Sequence, residues 1–77
     1  MVTAHQKAML ESVKDNADEL AILLAVSLMS FEFDIVDYIV DKYQDRFTAE
    51  EIDAVKENRQ RLEIELAMAE REYATIH

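Results

Sequence analysis

Glycine, proline, cysteine and tryptophan are all missing from this chain of 77 residues. Glycine is the residue that most readily takes positive φ, and proline presets the backbone of turns. Hairpin turns and the glycine-rich loops that cradle phosphates depend on them. Their joint absence leaves helices connected by short links. Without cysteine there are no disulfides and no thiolate metal sites. The two histidines, His5 and His77, stand at opposite ends of the sequence. A di-metal site in a helical protein wants inward Glu-x-x-His motifs, and none occurs. The expectation is a protein that is not an enzyme and that carries no cofactor and no metal.

Basic residues are scarce. Eight Lys and Arg stand against seventeen Asp and Glu, a formal charge of −9. Nucleic acids and anionic membranes attract the opposite sign, so direct binding to either is not expected. The same charge leaves room for a basic protein partner. The longest uncharged run, Leu20 to Phe31, has twelve residues, short of the roughly twenty that span a bilayer. It follows Asp18 and Glu19 rather than a basic segment, so a signal peptide is not expected. A cytoplasmic location, in a cell or in an infected host cell, is the default.

Half of the residues are apolar and a third charged, which suits a folded chain. Residues 1–77 make one domain, and at this size one core rarely supplies more than about 3–5 kcal/mol. With disulfides and metals excluded, self-association is the remaining support.

Thr3 and Gln6 fit a capping box. Beyond it Met9, Leu10, Val13, Ala17, Leu20 and Leu24 recur at spacings of three and four. The stripe crosses Asp15 and Asn16 without losing register and predicts one helix over 4–29, with a cap at Asp15 or Asn16 as the alternative. From Leu20 to Met29 the apolar residues point in every direction. A helix apolar all round needs cover all round, which a second copy of the chain would supply.

Ser30 to Asp34 reads as a turn, and a short helix follows over 35–45. On it Ile35, Val36, Ile39, Val40 and Tyr43 gather on one side, and Asp34, Asp37, Asp41 and Asp45 on the other. Thr48 and Glu51 form a second capping box, with Phe47 and Ile52 placed as a hydrophobic staple. They open a last helix over 49–74. Its heptad stripe runs Ile52, Val55, Arg59, Leu62, Leu66, Ala69, Tyr73, Ile76. Glu57–Arg61, Arg59–Glu63 and Arg61–Glu65 are spaced for ion pairing, and Ile64 and Met68 make a small apolar spot on nearly the opposite face.

The expected fold is all-α: two long antiparallel helices and a short acidic one, dimerising into a larger helical bundle. The expected oligomer interface is Leu20, Leu23, Leu24, Val26, Leu28, Met29, Ile64 and Met68. The candidate partner-binding face is Asp34, Asp37, Tyr38, Asp41 and Asp45. Residues 31–53 concentrate the charge, with eight acids and two bases. The function expected first is non-catalytic protein–protein interaction, by a small acidic homodimeric regulator or adaptor. Two alternatives stand beside it. One is an acidic inhibitor of viral type that imitates nucleic acid and fills a basic groove. The other is a structural subunit of a larger assembly.

Overall fold

The computed structural model describes residues 1–76, so His77 lies outside the described residues, as does the side chain of Ile76 at the end of the heptad stripe. The described chain is all-helical. Helices α1 (Ala4–Val13), α2 (Ala17–Met29), α3 (Phe33–Lys42) and α4 (Ala49–Ile76) follow one another, with one 3₁₀ turn at Gln44–Arg46 before α4. Among the described residues no helix is long and apolar enough to cross a membrane.

Both capping boxes form. Gln6 N–H donates to Thr3 Oγ1 at 3.1 Å while Thr3 N–H donates to Gln6 Oε1 at 2.9 Å. Thr48 and Glu51 do the same at 3.1 and 2.8 Å. Each box satisfies two amides that a helix start leaves without partners.

The single helix expected over 4–29 is two helices. Asn16 takes an extended conformation, φ −107° and ψ 95°, and its side chain accepts the Glu19 amide at 3.2 Å. Asn16 N–H closes back on the Val13 carbonyl at 3.0 Å. The break has a packing cause. In a straight helix Leu10 and Leu20 would lie about 15 Å apart along the axis. Here both are buried in one core cluster with Leu24, Ile35, Val36, Ile39 and Tyr43. From the far side Arg46 Nε donates to the Lys14 carbonyl at 3.1 Å, satisfying one carbonyl freed by the bend.

The next link shows how a chain without glycine turns. Phe31 sits at φ 58°, the only residue at positive φ among those described. Glu32 N–H bonds the Ser27 carbonyl at 2.9 Å and Phe31 N–H bonds Leu28 at 3.2 Å. That is a Schellman ending, in which the left-handed position is usually glycine. A side chain there costs on the order of 1 kcal/mol.

The acidic helix expected over 35–45 starts two residues earlier and ends at Lys42. Tyr43 leaves helical geometry at φ −118°, ψ 25° while its ring stays in the core at 3 % exposure. The predicted division of faces holds: Ile35, Val36, Ile39 and Tyr43 are buried, Val40 is half-buried, and the aspartates are exposed. α4 meets α3 where Phe33 and Asp37 reach Arg59, and Val40 shares a cleft with Val55. Among the described residues of α4 Ile52 alone is buried, and Val55 packs against the core from its edge.

Candidate functional site

α2 divides the residues expected at an oligomer interface into two groups. Leu20 and Leu24 are enclosed by the chain's own helices, at 0 % and 4 % exposure, and belong to the core. Leu23 and Leu28 are half-buried against it. The outer face carries Ile22, Val26 and Met29, at 61, 51 and 78 % exposure, with Ala21 and Ala25 exposed beside them. Ile22, Val26 and Met29 are spaced four and three apart, so they form one ridge along the helix. Ile22 was absent from the expected interface, although its spacing to Val26 is the signal that finds it.

A shallow groove runs along each side of the ridge. One, of about 240 Å³, is lined by Met9, Val13, Glu19, Ile22 and Leu23. The other, of about 250 Å³, lies between α2 and the start of α4, where Ala21, Ala25, Leu28, Phe47, Ala54 and Val55 line it together with Leu24 and Glu51. The alanines make this groove; any larger side chain at 21 or 25 would fill it. Past the ridge, the exposed ring of Phe31 meets Phe33 edge to face with centroids 6.1 Å apart.

The acidic face is less acidic than its sequence. Arg59 grips Asp37 with two hydrogen bonds, Nε to Oδ1 at 2.6 Å and Nη2 to Oδ2 at 2.9 Å. It also pairs with Glu63 at 2.5 Å and lies 4.9 Å from the centroid of the Phe33 ring. The Asp37 carboxylate holds the guanidinium above even its ordinary high pKa. The terminal ammonium meets Asp34 at 2.8 Å, and Asp45 pairs with Arg46. Tyr38, half-buried, has Lys7 at 5.8 Å and Lys42 at 5.4 Å from its ring, and Lys42 donates to its hydroxyl at 3.1 Å. Cations of the same chain therefore sit among four of the five candidate residues. Arg59 was legible only as an odd charge on the heptad stripe; its partner Asp37 lies 22 positions away and no local spacing connects them.

One polar contact closes the opposite edge of the core. The Tyr43 hydroxyl donates to Glu11 at 3.0 Å, and Lys14 bonds the other Glu11 oxygen at 2.6 Å. Lys14, followed by Tyr43, holds the Glu11 carboxyl below the usual carboxylate range. Burial, and then the bond to Glu11, push the Tyr43 phenol up. These groups join α1 to the end of α3. Among the described residues, no group of three or more His, Asp and Glu side chains could hold a metal ion.

Ile64 and Met68 are exposed on the outer side of α4. On its inner side Leu62 and Leu66 are half-buried, and every residue from Ala67 to Ala74 is exposed. Comparison of the chain with family models, curated proteins and solved structures finds no match.

Proposed function

We propose that this chain is a non-catalytic protein–protein interaction module that works as a homodimer, in the manner of a small regulator or adaptor, with the outer face of α2 as the dimer contact. The observation that carries this is an apolar ridge standing beside a mostly apolar groove, in whose lining Glu51 is the one charged residue. Ile22, Val26 and Met29 form the ridge; Ala21, Ala25, Leu28, Phe47 and Ala54 line the groove next to it. A two-fold axis between two such surfaces lets each ridge enter the other's groove, which is the self-complementarity an isologous contact requires.

Charge favours a second copy over another partner at this face. Two molecules of charge −9 repel, and they approach at least cost where neither presents a charge. From Leu20 to Phe31 none is present. The nucleic-acid mimic draws less support, because Arg59, Arg46, Lys7 and Lys42 already sit against the acidic face.

Sedimentation equilibrium tests the proposal. The wild-type chain should sediment as a dimer. Met29→Asp and Val26→Asp should each shift it to monomer, raising the dimer dissociation constant at least about tenfold (about 1.4 kcal/mol), with helicity retained because both side chains are exposed. A wild-type monomer at every concentration reached would sink the dimer. Association that continues past the dimer would instead support a structural subunit of a larger assembly.

A further inference from the structure

The distal half of α4 continues an apolar stripe past the end of the fold. Twenty-eight residues make a helix of about 42 Å, close to the molecule's longest dimension of 46 Å. Val55 is where α4 packs against the core, and Arg59 is where it grips α3. The stripe nevertheless runs on without a slip through Leu62, Leu66, Ala69 and Tyr73. Leu62 and Leu66 are half-buried and Tyr73 is 66 % exposed.

The residues beside that stripe decide what can cover it. In heptad terms the seam is Leu62, Leu66, Ala69 and Tyr73, and the four positions flanking it are Glu63, Glu65, Glu70 and Glu72. All four are glutamate. If two copies of the arm paired antiparallel, Glu63 would face Glu70 and Glu65 would face Glu72. In a parallel pair Glu65 would face Glu70. Every arrangement of the arm against itself sets carboxylate against carboxylate. Arg59 reaches Glu63 within its own chain, and Arg61 and Arg71 lie off the seam flanks. A second copy is therefore the wrong occupant. The right one is a helix that brings apolar residues to the seam and cations to its edges.

We propose that the distal half of α4 docks a cationic amphipathic helix of another protein in coiled-coil fashion, Leu62, Leu66, Ala69 and Tyr73 forming the seam and Glu63, Glu65, Glu70 and Glu72 the ionic flanks. This names a partner chemistry for the interaction role proposed above and rests on that reading, while using a different surface from the dimer contact. It also explains why the arm has a regular seam at all. A helical segment of this length is marginal in water without packing, and a solvated one has no need of leucine at heptad spacing.

The probe is a synthetic peptide of about three heptads, with leucine at the seam positions and lysine at the flanks, labelled for fluorescence anisotropy against the full chain. One control has the same residues scrambled; another carries glutamate at the flanks. The lysine peptide should bind at least about tenfold more tightly than either control and weaken at high salt. Combining Glu65→Gln, Glu70→Gln and Glu72→Gln, which spares the Arg59–Glu63 pair, should weaken binding at least about tenfold, with circular dichroism unchanged. Leu66→Asp should remove it. A scrambled peptide that binds as well as the patterned one, or glutamine variants that bind unchanged, would overturn the proposal. So would a homodimer that Leu66→Asp breaks and Met29→Asp does not. Peptide binding by a monomeric chain would leave the arm standing and remove only the dimer. A dimer that ignores the peptide would do the reverse.

Discussion

α2 and the distal half of α4 both leave apolar residues in water, and they differ in what stands beside them. On α2 the exposed Ile22, Val26 and Met29 have alanines for neighbours, and the opposite side of the helix is locked into the core through Leu20 and Leu24. On the α4 arm Leu66 and Ala69 have a glutamate at every flanking position, and no residue from Ala67 onward to Ala74 is buried. The number of apolar faces on a helix tells how many neighbours it wants. The charges bordering each face tell which kind of neighbour. A surface with no charge accepts a copy of itself, and a surface bordered by one sign asks for the other.

The comparison breaks most visibly on matched leucines. Leu20→Ala removes a side chain with no exposure and should cost about 2–5 kcal/mol in urea unfolding. Leu66→Ala should cost less than about 1 kcal/mol, because it vacates a half-buried site outside the core. Equal losses would mean that α4 is packed along its whole length. Next in size is Asn16→Ala, which deletes the cap that starts α2 and should destabilise by about 1 kcal/mol. If the loss were negligible, the bend would owe nothing to its cap.

Phe31→Gly should act in the other direction. It frees the left-handed position from its side chain and should raise stability by about 0.5 kcal/mol, measured at one fixed protein concentration. A simultaneous fall in dimer affinity would show that the ring is kept there to serve the α2 surface. The smallest effect is on pH dependence. Glu11 titrates lower in the folded chain than unfolded, so its contribution is complete above the ordinary carboxylate range and lost as the pH falls through its folded value. Tyr43 is shifted upward, so its contribution is present below the ordinary tyrosine range near 10 and lost as the pH rises. Glu11→Gln should flatten the acid limb of a thermal-melt profile and leave the arm unaffected. An unchanged acid limb would remove Glu11 from the forces that hold α1 to α3.

The helical class, the two capping boxes, the two-sided character of α3 and the heptad stripe of α4 were all legible in the residues. Each rests on interactions that span at most a few positions, which spacing records directly. The bend at Asn16 was legible only as an alternative, because Val13, Ala17 and Leu20 keep their register whether the helix is straight or broken. The left-handed Phe31 was not legible; glycine or asparagine would have marked the position, and neither is there.

The stripe through Leu20 and Leu24 pointed to one side of α2, but Ile22 and Val26 opposite are equally apolar, so spacing alone could not choose which side the chain itself encloses. That choice fell to Ile35, Val36, Ile39 and Tyr43, whose single buried face admits only one side of the neighbouring helix. In the same way the aspartates of α3 announce a charged surface, while the pairing of Arg59 with Asp37 across 22 positions sets how much of that charge is left. Local chemistry chose the helices and their ends. The competition of distant side chains for one small core chose their faces, and with them the surfaces left exposed.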